Sequence, residues 1–161
     1  MRLIPTFSRY ALHRAVLATV LAGVTALPAL AQAATAAEDA AQAKAWQHTA
    51  QCAAVMKREA VAQATRYKAG ETALMPGMVT LAEDSFALLG TAYKQGLRKA
   101  EADRLLAAAE AELPGISADT QRQTLAACRS EGRALFKDAN FVERALVSNR
   151  ARARVEKLVQ P

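Results

Sequence analysis

Residues 117–135 read SADTQRQTLAACRSEGRAL, and the register of this stretch decides the fold. Leu125, Cys128, Gly132 and Leu135 follow one another at steps of three, four and three, the spacing of one face of an α-helix. Ser117 stands ahead of that face as an N-cap, with Asp119 in the first turn, where the helix dipole favours an acid. The stripe carries a cysteine and, four residues later, a glycine. A glycine there lets the helix approach a neighbour closely; without such a neighbour it only weakens the helix.

Working outward from this helix, Leu113-Pro114-Gly115 closes a preceding one over about 99–112, with Ala102, Leu105, Leu106, Ala109 and Leu113 facing inward. Before it, Thr80-x-x-Glu83 reads as a capping box that opens a helix with Ala82, Phe86, Leu89 and Tyr93 on its apolar face, and Gly96 caps its end. Residues 70–79 hold the clearest break in the chain, with Pro76-Gly77 read as a turn. A long helix over about 41–67 comes first, with Cys52, Met56, Ala60, Ala64 and Tyr67 on one face, and it stops near Gly70. On the C-terminal side, Asn140-x-x-Glu143 is a second capping box, with Asn as the cap, and it opens a last helix over about 141–158. The expectation is an all-α fold: a small bundle of four to five helices joined by short loops.

Composition agrees. The chain has 161 residues, room for one ordinary domain, and 40 of them are alanine. Alanine is the best helix former and fills little volume, so helices packed closely through small residues are favoured. With 5% aromatics and two cysteines, neither a β-sandwich nor a disulfide-dense miniprotein fits.

The first residues read as an address. Arg2, Arg9 and Arg14 precede an uncharged apolar run, Ala15 to Leu30, which ends in Ala-x-Ala spacings that place cleavage after Ala31 or Ala33. At about 16 residues the run falls short of the roughly 20 that span a bilayer. The expected organisation is a signal peptide over 1–33, then a helical domain over 34–161 with 34–40 frayed, in the periplasm or secreted. In such an oxidising compartment Cys52 and Cys128 are expected to form a disulfide. It closes a loop of 76 residues, for which the chain-entropy relation gives about 4 kcal/mol.

The mature chain keeps a single histidine, His48, four residues before Cys52. With the cysteine oxidised, that pair has no nucleophile, and the chain has no Gly-x-Ser-x-Gly elbow, His-Glu-x-x-His or phosphate-binding glycine loop. Acid pairs such as Glu83-Asp84 and Glu110/Glu112 are expected to face solvent. The expectation is a protein without catalysis and without a cofactor. Its mode of action is expected to be binding to a protein partner in the envelope, as an inhibitor, an immunity-type protein or an adaptor.

The alternative is a ligand or metal carrier. His48, Met75 and Met78 are its candidate ligands, since thioether and imidazole suit copper, although core packing explains methionines equally well. Charge gathers at the C-terminal end. From Arg129 onward there are eight basic and four acidic residues, densest at Arg150, Arg152 and Arg154. At helical spacing Arg150 and Arg154 share a face, while Arg152 turns away by about 200°. These three arginines, with Trp46, are the candidate partner-binding residues. Contact with anionic envelope components suits the arginines; nucleic acid does not suit an exported chain without interleaved aromatics.

Overall fold

The computed structural model describes the backbone of residues 27–160 and the side chains of 37–160. The leader expected over 1–33 lies outside the described residues except for helical backbone from Leu27 onward. Contacts separate Met1–Ala37 from a compact unit, Glu38–Pro161, and the latter is described below.

Among the described residues there are five α-helices and no strand: α1 (Leu27–Lys68), α2 (Met75–Lys94), α3 (Lys99–Glu112), α4 (Ala118–Asp138) and α5 (Phe141–Val159). Single 3₁₀ turns, Thr72–Leu74 and Leu113–Gly115, lead into α2 and out of α3. No helix among these residues is long and apolar enough to cross a membrane.

Most helix ends follow the local chemistry. Gly70 and Gly96 adopt φ of 108° and 99°, the left-handed conformation that ends a helix without a Cβ clash. Ser117 Oγ accepts the Thr120 N–H at 3.2 Å and caps α4. At α5, Asn140 Oδ1 accepts the Glu143 N–H at 3.0 Å and the Glu143 carboxylate accepts the Asn140 N–H at 3.3 Å, a complete capping box.

Two starts differ from expectation. α1 is already helical at Leu27, where the described backbone begins, and does not wait for Ala41; residues 29–40 are mostly alanine and hold no glycine or proline. α2 begins at Met75 rather than after a Pro76-Gly77 turn, and Thr80 and Glu83 lie inside it, so they form no capping box. Proline costs nothing in the first turn of a helix, where its missing N–H has no partner to lose. The break in the chain is therefore confined to Ala69–Leu74.

The core runs along α1. Ala50, Cys52, Ala54, Val55, Met56 and Ala60 pack against Leu81, Leu88 and Ala92 of α2 and against Ala102, Leu105 and Ala109 of α3. A smaller cluster joins Ala64, Met78 and Val155. The Cys52–Cys128 disulfide is formed, with Cα atoms 5.3 Å apart, and fixes α1 to α4. The stripe expected for α2 is displaced. Met78, Leu81, Asp84, Ala87, Leu88 and Ala92 are the buried positions, whereas Ala82, Phe86 and Leu89 are half-buried and Tyr93 is 44% exposed. α2 packs against both α4 and α5 as well as the core cluster, so its buried arc is wider than one stripe and centred elsewhere.

Candidate functional site

Three places in the bundle hold groups capable of recognition or chemistry. The first is the outward face of α5. Ala151 and Val155 turn inward and are buried. On the opposite side of the first two turns, Val142 is 73% exposed and Leu146 50%; Phe141, the first residue of the helix and 78% exposed, lies by register nearer the side of Val155 and is uncovered at the helix start. Asn149 and Ala153 continue this face in solvent. By helical register Arg150 flanks it on one edge and Arg152 on the other. Arg154 turns towards a cavity between helices. The capping box anchors the start of this helix, and Lys94 of α2 ties it down further through a 2.5 Å ion pair with Glu143. That hydrogen bond holds the Glu143 carboxyl below its usual range.

The second place is the cavity itself, about 210 Å³ between α1, α2, α3 and α5. Met56, Leu81, Phe86, Leu89, Leu106 and Leu158 line it, and Ala53, Ala60 and Ala82 leave the space open by filling so little of it. Lys57, Ser85 and Arg154 are its polar lining residues. Lys57 also donates to Glu110 of α3 at 2.5 Å.

The third place surrounds the disulfide. His48 Nε2 lies 2.7 Å from Glu131 Oε2 of α4 and 3.7 Å from Cys52 Sγ, its N–H donating to the carboxylate. Met75 and Met78 are nowhere near it. They belong to the cluster around Ala64, sixteen residues further along α1, or about 24 Å of helix. Met78 is fully buried as core, so His48, Met75 and Met78 do not form one metal site. Trp46 is half-buried against the core cluster, with its Nε1 buried and without a partner among the described residues. It is an anchor of the bundle and not part of an exposed patch.

One polar constellation was missed by sequence reasoning. Asp84, expected in solvent with Glu83, is only 1% exposed. α2 and α4 meet so closely here that a Cβ on Gly132 would lie 2.8 Å from the Asp84 carbonyl carbon and 2.9 Å from its Cα. The next residue, Arg133, places Nη2 2.8 Å from Asp84 Oδ1, and donates to the Thr80 carbonyl at 3.1 Å and to Glu83 at 3.3 Å. Its guanidinium also stacks 5.0 Å from the centre of the Phe136 ring. Ser148 of α5 donates to the other oxygen of Glu83 at 2.6 Å, so the network binds three helices. Burial raises the Asp84 carboxyl above its ordinary 3.8, against the opposing pull of Arg133 and Arg129. The helices close over this group without room for a substrate, which makes it a structural clasp. The signal for it in the sequence is the Gly132-Arg133 pair.

No protein-family model, no curated protein and no solved structure matches this chain.

Proposed function

We propose that this is an exported protein that acts without catalysis, binding a partner protein of the envelope through the outward face of α5. The observation that carries the reading is the exposure of Val142 and Leu146 on adjoining turns of one face of a capped helix, with Phe141 exposed at its start. A single exposed apolar side chain needs no explanation, but Val142 and Leu146 on one face, with Phe141 exposed at the helix start and Arg150 and Arg152 one to two turns beyond Leu146 at the edges of that face, have the anatomy of a contact surface. Arg150 and Arg152 suit a partner with an apolar centre and an acidic rim, as an inhibitor, immunity-type or adaptor protein requires.

A photoreactive residue at Val142, introduced in the producing cells, tests this. It is expected to give one discrete adduct that is absent when the same residue is placed at exposed Ala107 on α3. Leu146→Asp should reduce the adduct about 30-fold, the effect of removing a central interface anchor. Equal labelling from both positions, or a yield unchanged by Leu146→Asp, refutes the reading. Anionic vesicles competing for the adduct would reassign the face to lipid.

The cavity favours a second reading, carriage of a small apolar ligand. An apolar cavity of about 150 Å³ takes benzene, so this one accommodates a ligand somewhat larger. Displacement of an environment-sensitive dye by short-chain fatty acids, lost on Ala60→Phe, checks it.

A further inference from the structure

The disulfide and its two polar neighbours occupy four positions with a common logic. His48 and Cys52 are four apart on α1, and Cys128 and Glu131 are three apart on α4, so each helix presents two metal-ligating groups from one face. The two faces oppose each other, with 5.3 Å between the cysteine Cα atoms. The ligand atoms of His48, Cys52 and Glu131 all lie within 4.8 Å of one another, the single such cluster among the described residues.

Zinc–ligand lengths of roughly 2.3 Å to sulfur and about 2.0–2.2 Å to nitrogen or oxygen fix the edges of a tetrahedron: about 3.6 Å for S···N, about 3.4 Å for N···O and about 3.8 Å for S···S. The observed S···N distance is 3.7 Å. The N···O distance is 2.7 Å and needs only to open by the width lost when a shared proton gives way to an ion. The sulfur pair is held short of its edge by the covalent bond and can open to it only on reduction.

We propose that in the dithiol state Cys52, Cys128, His48 and Glu131 bind one Zn²⁺, so that disulfide and metal are alternative occupants of the same cross-link between α1 and α4. A dithiol reductant supplies two electrons and two protons. The Cys52–Cys128 bond breaks, two thiols form, and the reductant closes its own disulfide. Zn²⁺ then binds both sulfurs as thiolates, releasing their two protons to solvent, and takes Nε2 of neutral His48, whose ring proton passes through solvent from Nε2 to Nδ1. A disulfide oxidant reverses the sequence, taking two electrons from the thiolates, closing the bond and freeing the ion.

Burial supports this pairing of states. Cys52 is 0% exposed and Cys128 1%, surroundings in which a bare thiolate is costly and a metal-neutralised one is not. The side chains of His48 and Glu131 are about half exposed and provide the path by which an ion enters. Two thiolates, an imidazole and a carboxylate form a ligand set suited to zinc rather than to calcium or magnesium. The inference is independent of the partner-binding reading.

Anaerobic titration of the phosphine-reduced mature protein with Co²⁺, followed by displacement with Zn²⁺, tests it. The expected result is one ion per chain, thiolate charge-transfer absorption with the intense visible bands of tetrahedral cobalt, and no such signal from the oxidised protein. His48→Ala and Glu131→Ala should each weaken binding at least about 10-fold, because even outer-shell partners of a metal are worth that much. The double variant Cys52→Ser/Cys128→Ser should bind nothing. Reduction also removes a staple, so helicity is followed by circular dichroism. If the metal-free dithiol chain is unfolded, stoichiometric Zn²⁺ must restore the helical signal, and only with His48 and Glu131 present. Failure of the reduced protein to bind overturns the inference. So does binding that His48→Ala and Glu131→Ala leave unchanged, binding to an unfolded chain without gain of helix, or equal affinity in the oxidised form.

Discussion

Cys128 and Gly132 lie one turn apart on the same stripe of α4, and each fastens that helix to a different neighbour by opposite means. Cys128 holds α1 through a covalent bond, with both sulfurs buried and His48 and Glu131 half exposed beside them. Gly132 holds α2 by having no side chain, and this brings the backbones so close that Asp84 is sealed between them. A covalent link tolerates a loosely filled seam because the bond, not the packing, sets the distance. A steric link has no such tolerance, and here it also has to accommodate a buried carboxyl group, whose burial Arg133 offsets only in part.

The covalent seam carries the larger effect. Replacing Cys52 and Cys128 together by alanine should cost about 4 kcal/mol, or a fall in Tm of roughly 15 °C for a domain of this size. Differential scanning calorimetry with a chelator present, so that no ion substitutes for the bond, checks this. A loss under about 1 kcal/mol would mean that the α2–α4 seam and the core already hold α1, and the contrast between the two seams would collapse.

The steric seam comes next. In an ordinary helix Gly→Ala stabilises by about 1 kcal/mol. At Gly132 the added methyl meets the Asp84 backbone, which has no flexible end to move aside, so Gly132→Ala should instead destabilise by about 2 kcal/mol through overpacking. Gly90→Ala on α2 is the matched control: nothing lies within 4 Å of its added Cβ, and a gain is expected. Denaturant midpoints of the two variants should move in opposite directions. If both rise, the close approach at Gly132 carries no energy.

The same contrast explains what the sequence made legible. The disulfide followed from counting, since two cysteines in an expected oxidising compartment allow one pairing only, and the starts of α4 and α5 followed from Ser117 and Asn140, because capping signals act within a few residues. The close approach at Gly132 was a readable option, since glycine on an apolar stripe has few other uses. Asp84 was not readable: its burial depends on a residue 48 positions away lacking a Cβ. The α2 register failed for a related reason, since a helix packed on several sides shows no single stripe. Pro76-Gly77 misled because proline signals a turn and a first helical turn alike. At the candidate surface the arginines were visible as charge. The exposure of Phe141, Val142 and Leu146 was not, because apolar residues at a helix start read as core until the packing is known.

The smallest expected effect probes which force governs Asp84. Burial raises its folded pKa above 3.8, while the Arg133 and Arg129 guanidinium groups pull it down, and burial prevails. For an acid whose folded pKa is raised, the native state holds more protons than the unfolded one between the two values. Stability from this group is therefore full below 3.8 and declines as pH rises through the folded pKa. Glu71, Glu101 and Glu143, each lowered first by a hydrogen bond from Arg66, Arg104 and Lys94 respectively, act in the opposite sense and lose their contribution as pH falls. The whole-protein curve mixes both, so the useful quantity is the difference between the parent and Asp84→Asn. Asparagine keeps the shape and removes the titration. Subtracting urea-unfolding free energies of Asp84→Asn from those of the parent, from pH 3 to 7, should give a curve that falls as pH rises above 3.8 and then levels off. A difference that climbs over that window would show the Arg133 ion pair outweighing burial. The clasp would then be a net electrostatic attraction, not a charge tolerated because Gly132 brings the helices too close to exclude it.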